Sequence, residues 1–304
     1  MSPPTVGVIV PCFNQGRYVA ECVASLRAQT YRHWKAVVVD DASLDGGESA
    51  AACRAVAGDA VEVVMLGRNL GRALVRNEAV RRLPGVDYVL NLDCDDTLHP
   101  AYIGKLVEAM EACPAAGLAY GVLEHFSTAP ASTQAGGRRW PDREFDAGRM
   151  YLENLIPGPG VLFRKAALDR TDGWRASFTK CSGEDYDIWL QVVEHGWQAL
   201  WVREATYHYR QHAASFLANS TPDLQVDVQL AILRHHAAGI RQRSQARPFV
   251  TAQILPALRA AMKERRWRRS LALACVPMRH CASAFIVEMG AHYWRRLRAR
   301  VQDS

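Results

Sequence analysis

The chain has 304 residues, 49% of them hydrophobic and 22% charged, enough for one large domain with a real core or a domain plus an appendage. Its net charge of +6 is uneven: residues 241–304 carry 14 Arg and Lys against 3 Asp and Glu, a net of +11, while residues 1–240 carry 23 against 28, a net of −5. That balance separates a mildly acidic body from a basic tail and excludes a uniformly basic nucleic-acid binder.

Residues 5–10 (TVGVIV) form an apolar, β-branched run that reads as a buried strand ended by Pro11. Val19, Cys22, Val23 and Leu26 then fall at helical spacing within 18–29. Buried strands are predicted over 36–40 (AVVVD), 61–66 and 86–92, with helices over 46–56, 72–83 and 101–113 and a further strand over 117–123. Strands alternating with helices of this length predict βαβ units and a mostly parallel, Rossmann-like α/β sheet flanked by helices. Residues 127–148 are polar and rich in Gly, Pro and Ser and read as a loop or insertion; order returns over 161–204. A helix is predicted over 223–240, closed by Gly239, followed by an Arg-rich helical tail with a break at Pro277. The expected organisation is a domain over 1–222, divided into halves over 1–124 and 149–222, with a basic C-terminal helical extension over 223–304.

None of the eight cysteines forms a CxxC pair and most lie in apolar runs, as expected of reduced core thiols in a reducing compartment. The N-terminus has no basic segment leading into a long apolar stretch, and no window of about 18 apolar residues lacks charges, so neither a signal peptide nor a spanning helix is expected. A cytoplasmic protein follows, peripheral at most on the inner membrane face.

Open parallel sheets bind ligands at the carboxyl ends of their strands. Here those ends collect Pro11-Cys-Phe13-Asn14, Asp40-Asp41-Ala-Ser43, the loop holding Arg68, Asn69 and Gly71 with Arg76 and Asn77 in the next helix, and Asp93-Cys-Asp95-Asp96. Close-set carboxylates repel unless a proton or cation joins them. Hard oxygen donors suit Mg²⁺ or Mn²⁺, which bridge carboxylates to substrate phosphates. Asp93 and Asp95 therefore suggest a metal–diphosphate site, while Asp96 or Thr97 is open to a second job, capping a helix that starts near Pro100.

Four stretches, "VIVPCFNQGRYVAECVASLRAQTYRHWKAVVVDDASLDG", "RNLGRALVRNEAV", "YVLNLDCDDTLHP" and "GWRASFTKCSGEDYDIWLQVVEHG", resemble the family 2 glycosyltransferases of GT-A fold over roughly residues 4–215. The resemblance implies a nucleotide site in which Phe13 lies against the base, Asp41 accepts from its edge, and Asp40 and Ser43 shape the turn. The family's DxD falls on Asp93-Cys94-Asp95, with Asp95 on a divalent ion and Asp93 on the ribose or the ion's water shell. Its later Glu-Asp pair falls on Glu184-Asp185, with Asp185 as general base. Glu184 would orient the acceptor or cap its helix, Asp187 would be structural, and Trp174 would stack on a sugar or sit in the core. In "YHYRQHAAS", similar to a stretch that closes over the diphosphate before Ser215, Arg210 would take that role and His212 would be an extra metal ligand.

Inverting sugar transfer needs such a base for the acceptor hydroxyl and a cation for the leaving diphosphate. The implied partners are a nucleotide-diphospho-sugar, UDP favoured, and a glycan or lipid-linked acceptor, in cell-surface polysaccharide or glycolipid assembly. The Gln-x-x-Arg-Trp signature of processive members is absent, which fits addition of one or a few sugars. The tail, with "KERRWRRSLALAC" and "HYWRRLRAR", suggests attachment to an anionic membrane or a helix packed on the domain; no nucleic-acid partner is expected. Two alternatives stand beside this: "LNLDCDDTL" also resembles the haloacid-dehalogenase phosphohydrolase signature, and the same fold could serve a non-catalytic sugar-nucleotide or glycan binder.

Overall fold

The computed structural model of the chain describes residues 2–127, 139–140, 145–178, 183–212 and 221–302. Ser215 and Cys181 lie outside those residues, as does most of the expected loop at 127–148. The chain forms two compact units, one of Met1–Phe145, Leu155–Lys180 and Glu184–Asn219, the other of Asp146–Asn154, Cys181–Gly183 and Ser220–Ser304.

The first unit is a curled α/β sheet. Its strands are β1 (Val6–Cys12), β2 (Trp34–Asp40), β3 (Val61–Met65), β4 (Tyr88–Asn91), β5 (Thr97–Leu98), β6 (Ala116–Ser127), β7 (Arg139–Trp140), β8 (Leu162–Arg164) and β9 (Gln198–Gln211). Helices α1 (Gly16–Arg27), α2 (Glu48–Ala55), α3 (Arg72–Arg81), α4 (Tyr102–Ala112), α5 (Lys165–Leu168) and α6 (Glu184–Glu194) intervene. The sheet order is β3-β2-β1-β4-β8-β6-β9-β5, with β7 paired to β6. β1 pairs in parallel with β2 and β4, and β2 with β3. These strands are Val-rich because helices cover both faces: Val6, Val8, Ile9, Val10, Val38 and Leu90 are all fully buried.

Pro11 does not end β1. Ile9 accepts a hydrogen bond from Leu92 N at 3.0 Å, so Ile9 and, two residues on, Pro11 face β4. β4 stops at Asn91, so no ladder partner waits for the N–H that Pro11 lacks. Beyond β4 the directions change. β8 runs antiparallel to β4, β6 antiparallel to β8, and β9 parallel to β6. The start of β8 and the end of β9 therefore reach the same edge as the ends of β1, β2 and β4. Gly160, just before β8, has φ +78°, and a Cβ there would lie 2.5 Å from the Tyr207 ring, so only glycine permits that approach.

Within the second unit, α7 (Pro222–Gln242), α8 (Ala246–Phe249), α9 (Leu255–Lys263) and α10 (Trp267–Gln302) pack around Leu230, Ile232, Leu233, Phe249, Leu258 and Leu273. Gly239 does not close α7; the helix continues to Gln242 with non-helical φ/ψ at His236. α10 likewise carries through Pro277 and deviates at Cys281 instead. Seven described cysteines are free thiols; five are buried, Cys113 is half-buried, and Cys275 is exposed rather than in the core.

Candidate active site

The ends of β1 and β2 are laced together. Asn14 sits at φ +55°, its Oδ1 accepts from Leu44 N at 2.7 Å, and its own N–H donates to Ser43 Oγ at 2.9 Å. Ser43 in turn donates to Asp40 Oδ1. Phe13 is left 39% exposed on this turn. Asp41 is engaged by the loop after β3. It is buried, and its two oxygens accept from Leu70 N at 2.7 Å and Gly71 N at 2.9 Å, while Asn69 donates to its carbonyl. Burial raises its carboxyl pKa against the pull of those amides. Its carboxylate holds the 69–71 loop.

β4 ends in the acidic turn. Asp93, Asp95 and Asp96 each place an oxygen within 4.8 Å of the others. Asp93 pairs with Arg76 at 3.0 Å, and Asp95 Oδ2 meets Gln15 Nε2 and His212 Nε2, both at 2.9 Å. Asp96 does not cap α4, which starts at Tyr102 with no side-chain cap. It accepts instead from Tyr207 OH and Arg210 N, each at 2.7 Å, tying the turn to β9. Burial and the charge of Asp93 push Asp95 above the usual carboxylate range, with His212 pulling back. Burial and both neighbours push Asp96 well above it. Carboxylates in this state are short of positive charge, and hard oxygen donors fit a divalent ion such as Mg²⁺ or Mn²⁺.

Arg76 joins this turn to α6. Its side chain is 1% exposed; Nη1 lies 2.7 Å from Asp185 Oδ1 and 3.8 Å from Glu184 Oε1, and Nη2 3.0 Å from Asp93 Oδ1. Burial works against the guanidinium charge, but Asp185, Asp93 and Glu184 outweigh it and raise its pKa. Asp185 is 19% exposed. Burial, then Glu184 and Asp93, push it up to about 7 against Arg76 and Arg72. Such a carboxylate can hold or release a proton near neutrality. Gly158 makes room beside it, since a Cβ there would stand 3.1 Å from Asp185 Oδ2.

Of the flanking residues, Trp174 takes the core place and Asp187 the structural one among their expected readings, while Glu184 and Arg210 are held by the protein's own groups. Trp174 does not offer a face to a sugar: it is 1% exposed, edge-on to Phe163 at 5.6 Å, and its indole N–H donates to Asp185 Oδ1 at 3.4 Å. Asn77 clamps its backbone through two hydrogen bonds of 2.8 and 3.0 Å. Glu184, the first residue of α6, is buried against Arg72 at 3.0 Å and so does not reach out to an acceptor. Asp187, fully buried, binds Arg175 at 2.7 Å and Gln191 at 2.8 Å, a structural position. Arg210 is held by the protein's own groups. It is buried between the rings of Tyr18 and Phe126, donates to Asp95 O at 2.6 Å, and pairs with Glu21 at 2.6 Å.

Three contributors escaped the sequence reading. Gln15 orders the turn by donating to Asp95 and accepting from Cys94 Sγ at 3.1 Å. Asn91 fixes the loop before β8 by donating to Gly158 O and accepting from Val161 N. Tyr18 stacks on His212 at 5.4 Å. The only local signal was that Gln15 and Asn91 are polar residues at strand ends.

The profile of Glycosyl transferase family 2 matches residues 7–171. The chain belongs to that family. Over 217 residues it is 28% identical to TuaG of Bacillus subtilis, named for teichuronic acid biosynthesis, a match covering 68% of this chain and 79% of TuaG. Its fold is similar to that of S. aureus TarS 1–349 in complex with UDP-GlcNAc, at TM-score 0.58 and 15% identity over 90% of this chain and 91% of that one. It is also similar to that of the mannosyltransferase PcManGT from Pyrobaculum calidifontis in complex with GDP-Man and Mn²⁺, at TM-score 0.57 and 18% identity over 96% and 81%. The fold is thus GT-A and the enzyme a glycosyltransferase. The phosphohydrolase alternative falls with that assignment, and so does the non-catalytic binder.

Proposed function

We propose that this glycosyltransferase moves a sugar, with inversion, from a nucleotide-diphosphate donor to a hydroxyl of a glycan or lipid-linked acceptor in cell-surface polysaccharide or glycolipid assembly. The observation that carries the proposal is the Arg76 junction, where one buried guanidinium holds both a carboxylate of the acidic turn and Asp185. Two halves of a displacement reaction are thereby fixed to one rigid group, which lowers the cost of aligning them. The UDP-GlcNAc bound to TarS and the GDP-Man and Mn²⁺ bound to PcManGT support a nucleotide-sugar donor and a divalent ion. The naming of TuaG supports the polysaccharide setting.

In this mechanism exposed Phe13 takes the base, and Pro11, Asn14, Asp40, Ser43, Asn69 and Gly71 shape the walls around it. Asp93 binds the ribose or the water shell of the ion, and Asp95 with His212 would hold Mn²⁺ or Mg²⁺. The ion would offset the charge that builds on the departing diphosphate. Asp185 takes the acceptor's proton through the oxygen beside Gly158, while Arg76 and the Trp174 N–H hold its other oxygen in place.

The test is NMR of the sugar released or transferred from UDP-GlcNAc, UDP-glucose and GDP-mannose, with Mn²⁺ or EDTA. The expected product has the opposite anomeric configuration to the donor and disappears with EDTA and in Asp185→Asn. A retained configuration, or full turnover in EDTA, would overturn the proposal.

A further inference from the structure

The packed side of α10 buries Leu273, Cys281 and Phe285. Its other side is apolar as well. Leu271 is 65% exposed, Met278 43%, Ile286 57% and Val287 52%, with Cys275 exposed among them. Leu271, Cys275 and Met278 recur at i, i+4 and i+7 ahead of the kink at Cys281, and Ile286 and Val287 are exposed beyond it. A water-facing helix normally shows polar residues there. The segment from Arg268 to Gly290 contains one acidic residue, Glu288, which is 4% exposed and paired with Arg247. Arg268 and Arg279 lie exposed beside the stripe.

We infer that this face of α10 docks on an anionic lipid bilayer, with the helix lying in the plane of the surface. Apolar side chains would enter the headgroup boundary and the flanking arginines would pair with lipid phosphates. The net charge of +11 over residues 241–304 gives the complementarity that commits the face to an anionic membrane. Arg268–Gly290 is also long and apolar enough to cross a membrane, at mean hydropathy 1.5, contrary to the expectation from charge-free windows, but a third of it is buried. Crossing would strip the packed side from α7 and α9 and expose the ties from Arg241 to His280 O and from Arg247 to Glu288. Lying flat keeps all of these. The inference is independent of the donor and the catalytic residues.

The experiment is co-sedimentation of the full chain with vesicles of phosphatidylglycerol and phosphatidylcholine, or of phosphatidylcholine alone. It is repeated for Leu271→Gln/Ile286→Gln/Val287→Gln and for Arg268→Gln/Arg279→Gln. The wild type should partition to the anionic vesicles, more weakly at high salt, and wash off at high pH. The apolar triple variant should bind about tenfold less tightly, from the loss of three inserted side chains. The arginine variant should weaken only the anionic binding. Circular dichroism and donor hydrolysis should be unchanged in both, so a folding defect is separable and failure of the donor reading shows independently. Equal binding by the triple variant, or no anionic preference, would overturn the inference. Resistance to the high-pH wash would mean a spanning helix instead. Absence of vesicle binding with a change of sedimentation coefficient in the triple variant would assign the face to a second copy of the chain.

Discussion

Arg76 in the first unit is 1% exposed and divides its guanidinium among Asp185, Asp93 and Glu184, whereas Arg266 in the second is 42% exposed and pairs with Asp223 and Glu264. Both are arginines ringed by carboxylates, yet they do different work. A buried pair has no water to stand in for a lost partner, so it fixes geometry and shifts proton affinities. An exposed pair is screened and replaceable, so its charge is read chiefly by what approaches from outside. In the two proposals, charge in the sheet unit sets chemistry and charge in the helical unit sets association.

Asp185→Asn should have the largest effect on the catalytic side of that contrast. Loss of the base should lower kcat by about 10²–10⁴-fold with donor binding retained, measured by turnover beside nucleotide titration. A loss of binding with kcat intact would place Asp185 in the donor site instead. Arg76→Met should strand Asp185 and Asp93 and lower stability by about 3–5 kcal/mol in chemical denaturation. Arg266→Gln should leave the denaturation midpoint where it was, and a comparable loss at both positions would erase the distinction.

The pH dependence is a smaller effect and a sharper one. Asp185 is raised to about 7, and a general base works only when ionised. Below that pH, kcat/KM should fall by about tenfold per unit and above it level off. Replacing Arg72 with Gln removes a cation that pulls the Asp185 pKa down, so the profile should move to higher pH. A profile that stays put in Arg72→Gln would detach that cation from the base.

The strand ends were legible because each motif is local. "PCFN", "VVVDDAS" and "LNLDCDD" carry their own strands and turns, and a buried parallel strand can deliver its end only to one edge. The partners of those ends were not legible, because they lie far off in sequence. Arg76 meets Asp185 across 109 positions, and Trp174 is fixed by Asn77 across 97. The reading therefore placed Arg76 with the nucleotide, Trp174 on a sugar or in the core, and Arg210 on the diphosphate, each by residue type. Packing put Trp174 in the core, and the direction of β9 carries Arg210 inward between Tyr18 and Phe126 and leaves His212 beside Asp95. The same holds for Asp41, since nothing near it in sequence announces that Leu70 and Gly71 will donate to its carboxylate.

The central claim is that the acidic turn binds a divalent ion together with a nucleoside diphosphate beside Asp185. Thermal unfolding with UDP, GDP and dTDP, in Mn²⁺, Mg²⁺ or EDTA, tests it directly on the wild type and Asp95→Ala. One diphosphate should raise Tm only with the metal present, and Asp95→Ala should abolish the shift. A shift of equal size in EDTA, or one that survives in Asp95→Ala, would contradict the account.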